Sequence, residues 1–198
     1  MEKIKGGTPV KRIIVGMTGA SGQTLGFRLL EALHDLDDVE THLVMSASAA
    51  LVFEDETGRP KADLCALADF VHDEGDLSAS ISSGSFKTDG MAVVPCSMKT
   101  LSGIAHAYDE NLIIRAADVC LKEGRRCVLV PREMPMNRIH LANMLACADA
   151  GYVIMPPVFT FYNHPKTIED QIDHFIGKVL MQFDLPFERF RPWTGRQS

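Results

Sequence analysis

Little in this chain marks a secreted, membrane-spanning or nucleic-acid-binding protein. Its five cysteines, Cys65, Cys96, Cys120, Cys127 and Cys147, are odd in number and form no C-x-x-C pair. That argues against a disulfide framework and a spaced zinc site, and it suits free thiols in a reducing cytosol. Lys and Arg number 20 against 26 Asp and Glu, a formal net charge of −6. No basic stripe exists to replace phosphate counterions, so nucleic acid is not an expected partner. Every longer apolar run is broken by charge, which excludes a transmembrane helix. The opening "MEKIKGGTPVKR" lacks the apolar stretch of a secretory signal. The expected location is the cytoplasm. No His or Cys cluster has ligand spacing, so no metal is expected, and there is neither an internal repeat nor a linker.

What is present is 198 residues, 46% hydrophobic and 23% charged, enough for one domain with a substantial core. Residues 1–10 read as a disordered leader and 11–198 as a single domain ending in the irregular tail "FERFRPWTGRQS". "KRIIVGM" is short, β-branched and continuously apolar, as a buried parallel strand is. A helix follows over 22–34, then a strand "VETHLVMS", a helix starting at Ala47 and another over "KADLCALADFV". The polar segment 72–90 is a long loop of the kind that often carries function. Strand "MAVVPCS", two helices near 99–107 and 111–122, strand "RRCVLVP", a helix over 137–150, strand "GYVIMPP" and a helix over 167–183 complete the chain. In the 137–150 helix Ile139, Leu141, Met144 and Leu145 are the residues expected to be buried. Thr167 and Asp170 have the spacing of a capping box. Strands alternating with helices predict an α/β fold, a doubly wound, flavodoxin/Rossmann-like, mostly parallel sheet with helices on both faces.

"GMTGASGQTLG" joins the first strand to the first helix. A glycine-rich turn opening a helix presents bare N–H groups and a positive dipole end to an anion. A dinucleotide site also wants an acidic residue about twenty residues on, at the end of the second strand. That strand ends "LVMSAS", with Ser46 in the acidic place and nothing acidic before Glu54. This argues against NAD and for a smaller phosphate-bearing or flavin ligand. The strand end "VVPCSMKT" brings Ser97 to Thr100 to the same rim as Ser21, since ligands gather at the carboxyl ends of the strands. Cys96 lacks an adjacent histidine and reads as a buried structural thiol. Arg132 and Glu133 follow the next strand. Arg115 and Lys122, seven apart on one helix, share a face, and two cations beside a carboxylate suit a phosphate ligand plus a proton-handling group.

"GASG", "THLVMS", "SSGSFKTDGM", "PCSMKTLSGIA", "NLIIRAADVCLKE", "LVPREMP" and "PPVFTFYNHPKTIEDQID" together resemble the UbiX-like flavin prenyltransferases, including the forms counted as components of phenolic acid decarboxylases. The resemblance runs in unbroken order over about residues 11–195. It implies one protomer of a homo-oligomer, a dodecamer in that family. It implies an enzyme that joins a dimethylallyl group from dimethylallyl monophosphate to reduced FMN. The prenylated FMN then serves a UbiD-type decarboxylase, and no metal is required. Carried over residue by residue, it puts FMN on Gly19, Ala20, Ser21, Ser46, Ser97, Met98, Lys99, Thr100 and Arg132. It puts the prenyl phosphate on Tyr162 and Lys178, with Lys122, Glu56 and Trp193. Ser21, Arg115, Lys122 and Glu133 are the implied catalytic residues. Departures from the family pattern are "GQTLG" where an aromatic is common, Thr160 where Ala is usual, and Lys178 where Arg is commoner. His106, His140, His164 and His174 read as structural or surface residues, His164 being the one close to Tyr162 in sequence.

Two rivals follow from the same residues. One is a cysteine-decarboxylating flavoprotein, which uses a catalytic histidine and a P-x-M-N motif; in "MPMNR" Pro135 directly precedes Met136, one residue off that spacing. The other is an FMN-carrying accessory protein of a decarboxylase, which has no use for cations beyond the flavin phosphate.

Overall fold

The computed structural model describes residues 4, 5 and 8–195. Ile4–Lys5 (β1) and Thr8–Pro9 (β2) pair antiparallel. The remainder of the expected leader, residues 1–3, 6 and 7, lies outside the described residues. Lys11–Met17 (β3) is continuously apolar because both of its faces are covered: Ile13, Val15 and Met17 pack to one side and Ile14 to the other. The chain continues through Gln23–His34 (α1), Val39–Met45 (β4), Ala47–Thr57 (α2), Lys61–Ala66 (α3), Phe70–His72 (β5) and a 3₁₀ turn at Ser80–Ser82. Gly90–Cys96 (β6), Met98–Ala105 (α4), Leu112–Lys122 (α5), Arg126–Pro131 (β7), Arg138–Ala150 (α6), Val153–Ile154 (β8) and Ile168–Met181 (α7) follow.

Six strands form one parallel sheet in the order β5-β4-β3-β6-β7-β8. Numbered among themselves these strands run 3-2-1-4-5-6, the doubly wound order whose switch point lies between the first and fourth. Here that point is the β3–β6 boundary. One face carries α1 and α7, with Phe53 of α2 and Leu64 of α3 filling the same layer. The other carries α4, α5 and α6, with Leu101, Ile113, Ala117 and Cys147 fully buried. Burying one such aliphatic side chain contributes roughly 1.5–3 kcal/mol, so the paired layers hold the strand ends in place.

Two expectations need correction. The segment read as one helix over 61–71 stops at Ala66, and Phe70–His72 is an edge strand. Asp69 draws the chain to the sheet, its Oδ2 accepting the Thr41 N–H at 2.8 Å. In α6 only Met144 of the four expected core residues is buried; Ile139, Leu141 and Leu145 are 70%, 53% and 61% exposed. The capping box at Thr167 is present, with Asp170 N–H to Thr167 Oγ1 at 3.2 Å and Thr167 N–H to Asp170 Oδ2 at 3.0 Å. A second, Asn137 with His140, opens α6.

Candidate active site

The loops after β3, β4, β6, β7 and β8 leave the sheet at one rim. At the switch point Thr18 ties two of them together: its hydroxyl donates to the Pro95 carbonyl at 2.8 Å and accepts the Ser97 N–H at 2.7 Å. Gln23, fully buried, donates to the Thr18 and Ala20 carbonyls at 2.7 and 2.6 Å and so sets the curvature of the Gly19–Gly22 turn. A Cβ at Gly19 would overlap the Ser48 hydroxyl, so the glycine lets the β3 loop close on the start of α2. Arg132 reaches back across the end of β6, its N–H bonding the Cys96 carbonyl at 3.2 Å and its Nε the Ser21 carbonyl at 3.3 Å.

The starts of α1, α4 and α2 face this rim, and the first two differ. Glu56 of α2 places its carboxylate on the start of α1, accepting the Gly22 N–H at 3.0 Å and the Gln23 N–H at 2.8 Å. The helix behind the glycine motif is therefore already capped by an anion of its own chain, and no ligand phosphate is needed there. At α4 the cap is the Ser97 hydroxyl, which accepts the Thr100 N–H at 3.3 Å and donates to Thr100 Oγ1 at 3.1 Å. The N–H groups of Met98 and Lys99 remain first-turn donors with no intrahelical acceptor, beside Arg132. This is the better anion seat. Ser46 caps α2 in the same way, accepting the Ala49 N–H at 3.1 Å and meeting the Ser48 hydroxyl at 3.1 Å.

The loop after β8 supplies a second part. Gln171 of α7 pins it, donating to the Thr160 carbonyl at 2.7 Å and accepting the Thr160 N–H at 3.0 Å. The Thr160 hydroxyl bonds Asn163 at 3.2 Å, within the loop. Beyond it lies a cleft of about 490 Å³ lined by Tyr162, Asn163, His164, Arg191, Pro192 and Trp193, among others. Tyr162 and Trp193 meet edge to face with ring centres 5.8 Å apart. His164 takes a left-handed backbone conformation, φ 53°, and its N–H closes a turn on the Phe161 carbonyl at 3.1 Å. The histidine that touches Tyr162 is His174, whose Nε2 lies 3.0 Å from the phenol oxygen.

The other implied residues are placed less centrally. Arg115 bonds the Ser82 carbonyl at 3.1 Å, Asp109 at 2.9 Å and Asp118 at 3.2 Å, anchoring the 72–90 loop to α5. Lys122 ends α5 four residues before β7 begins, which puts it at the amino edge of the sheet, beside Glu123 at 3.7 Å. Strands of seven residues span roughly 20 Å, so Lys122 does not line the rim of its own chain. Glu133 stands at the rim just past β7 and accepts the Met134 N–H at 3.0 Å. Lys178 is one turn beyond His174 on α7. Cys96 is fully buried and burial pushes its thiol well above the ordinary range, as suits a structural cysteine. Among the described residues no group of three or more His, Cys, Asp or Glu is arranged to hold a metal ion, and no helix is long and apolar enough to cross a membrane.

Residues 3–179 match the flavoprotein family. A probable UbiX-like flavin prenyltransferase of Sedimentibacter hydroxybenzoicus is 59% identical over 187 residues, covering 94% of this chain and 99% of that one. The chain belongs to the UbiX-like flavin prenyltransferases. Among solved UbiX-like structures, a dodecameric FMN-dependent UbiX-like decarboxylase from Escherichia coli O157:H7 superposes with a TM-score of 0.91 at 55% identity, covering 93% of this chain and 100% of that one. AnUbiX (PadA1), solved in complex with FMN and dimethylallyl pyrophosphate, gives 0.92 at 51% identity over 95% of this chain and 100% of its own. The sequence reading did not single out Thr18 or Gln23, which shape the rim, or Arg191, which lines the cleft, and it left His174 among the structural or surface histidines. Only Gln23 had a signal, being a polar residue inside the apolar face of α1.

Proposed function

We propose that this chain transfers a dimethylallyl group from a dimethylallyl phosphate to reduced FMN, and that the prenylated flavin goes on to a UbiD-type decarboxylase. The observation that carries the reading is that the rim where the strands end offers both an anion seat at α4 and Arg132 and, on the loop after β8, an aromatic cleft at Tyr162 and Trp193. A flavin fits the first part by its chemistry: hydroxyls at Ser21, Ser46, Ser97 and Thr100, backbone donors at Gly19–Ser21 and Met98–Lys99, and one fixed guanidinium. Bound there, reduced FMN supplies the electron-rich ring that accepts the prenyl group, and the protein supplies position and electrostatics.

Breaking the allylic carbon–oxygen bond leaves both electrons on the phosphate. Groups that bind that oxygen harder as its charge grows accelerate the step; the Tyr162 hydroxyl and Lys178 have this part. The departing prenyl fragment is cationic and is stabilised over the faces of Tyr162 and Trp193. Glu133 and Ser21, at the rim, are the candidates for moving the proton at ring closure. Lys122 and Arg115 bring their charge to the rim of a neighbouring copy in a homo-oligomer, of which a dodecamer is the expected form. Glu56 works by fixing the Gly19–Gly22 turn.

The test is anaerobic. Protein, reduced FMN and dimethylallyl monophosphate are mixed and the mass of the bound flavin is read, with the pyrophosphate run in parallel. A gain of one prenyl group is the expected result, and the two arms assign the phosphate count. Unmodified FMN with both donors intact overturns the reading. Lys122→Met is expected to retain FMN while losing turnover; unchanged support of a decarboxylase by this variant would point instead to a carrier.

A further inference from the structure

His174 lies on the inner face of α7, 5% exposed, between two aromatic rings: Tyr162, edge-on at 5.5 Å, and Phe190, tilted at 5.3 Å. Its Nε2 is 3.0 Å from the Tyr162 hydroxyl, while its Nδ1 is buried and has no hydrogen-bond partner. Burial, and then the charge of Lys178 one turn away, hold the ring below its ordinary pKa, so it is neutral at pH 7. A neutral imidazole has one N–H and one bare nitrogen. An orphaned buried N–H is rarer in proteins than an under-satisfied acceptor, so the proton belongs on Nε2 and the bare lone pair on Nδ1. The ring then donates to the Tyr162 oxygen. That oxygen's own proton is directed away from His174, and Tyr162 is 46% exposed toward the cleft.

We infer that His174 is a positioning residue: through its Nε2–H it holds the Tyr162 hydroxyl as a donor toward the phosphate of the prenyl donor. This rests on the proposed role of Tyr162. Without the histidine the phenol is free to rotate about its C–O bond, and part of its population no longer offers a proton to the phosphate. The edge-on and tilted ring contacts alone do not supply this restraint, so a phenylalanine at 174 keeps the packing and loses the function.

The test is a double-mutant cycle on the full-length protein with reduced FMN and dimethylallyl monophosphate. His174→Phe is expected to raise KM for the donor roughly three- to tenfold, the effect of one ordinary hydrogen bond. FMN affinity and the thermal midpoint should be unchanged. His174→Gln, which keeps a donor at similar reach, is expected to recover most of the loss. In a Tyr162→Phe background His174→Phe should have no further effect, since the group it positions is gone. An equal His174→Phe penalty in both backgrounds means the histidine acts by packing, and overturns the inference. So does a Tyr162→Phe penalty with none for His174→Phe. No penalty for Tyr162→Phe itself overturns the phosphate role of Tyr162, and this inference with it. If His174→Phe does not fold, His174→Met makes the same comparison.

Discussion

Glu56 shows how one side chain decides what a motif can do. The glycine motif invites a phosphate at the start of α1, but that position is taken by the Glu56 carboxylate on the Gly22 and Gln23 N–H groups. Glu56→Ala should cost about 1 kcal/mol, as the loss of a helix cap does, and should also weaken FMN binding by loosening Gly19–Ser21. Urea unfolding and flavin fluorescence titration read the two effects; an unchanged urea midpoint would remove the capping role. A second prediction concerns acid. His42 sits 3% exposed at its side chain, bonded to His72 at 3.0 Å and Glu40 at 3.2 Å, with Glu40 held by Arg12 at 2.6 Å. Burial first, then the neighbouring His72 and Arg12, hold it below its ordinary 6.5 against the pull of Glu40; burial likewise lowers His72 against Asp76. Below about pH 6.5 the unfolded chain therefore binds more protons than the folded one, and stability falls as the pH is lowered. The slope owed to His42 is at most about 1.4 kcal/mol per pH unit. Unfolding free energies at pH 7.5 and 5.5 should differ less in His42→Leu than in the wild type, and equal differences would refute the assignment. Of these details the sequence disclosed residue types only. Ser46 in place of an acid was legible as an argument about ligand, while the contacts of Glu56 with Gly22, of His42 with His72 and of His174 with Tyr162 cross 12 to 34 positions.

Among the elements, the strands and most helices were legible because their patterns are strong: β3, β6 and β7 are dominated by apolar runs, β4 ends in the apolar run Leu43–Met45 after the polar Glu40, Thr41 and His42, and α5 and α7 carry one clean apolar stripe. The failures are short or two-sided. β5 is three residues at the sheet edge, preceded by no glycine or proline to end α3, so its apolar run passed for helix. The placement of α1 turns on a feature the sequence did show, the glycine at 26. An added Cβ there would stand 2.5 Å from the Val94 carbonyl oxygen and 2.5 Å from the Met17 terminal methyl. The carbonyl belongs to the backbone of β6 and cannot swing aside. Gly26→Ala should therefore destabilise the protein by about 1–3 kcal/mol despite alanine's better helix propensity. Because α1 carries the Gly19–Gly22 turn at its head, FMN affinity should fall as well. A thermal midpoint equal to or above that of the wild type would mean that α1 can shift outward without loss.

For the molecule as a whole, the informative error is α6. Its residues at 139, 141 and 145 were expected in the core because they are apolar and helically spaced, yet the sheet is already covered by Met144 and Cys147 on the opposite side of the same helix. An α-helix with apolar residues around most of its circumference belongs between two surfaces, and a single chain provides one. Met134 and Met136, 85% and 37% exposed just before α6, extend the patch toward the rim. Exposed apolar clusters of this kind mark protein–protein contacts, and the E. coli relative of 55% identity is a dodecamer. The proposed role of Lys122 needs such a contact, since the residue lies at the amino edge of its own sheet. Replacing Ile139 and Leu145 together by lysine should leave the fold intact, as both side chains lie outside the core, and should shift the mass measured by light scattering toward smaller species. Activity should fall with the assembly, while FMN affinity, read separately, should change less because the anion seat at α4 and Arg132 lies within one chain. Retention of the full assembly by the double variant would show that another face joins the protomers. A small species with full turnover would show that Lys122 and Arg115 are not needed across a boundary between protomers.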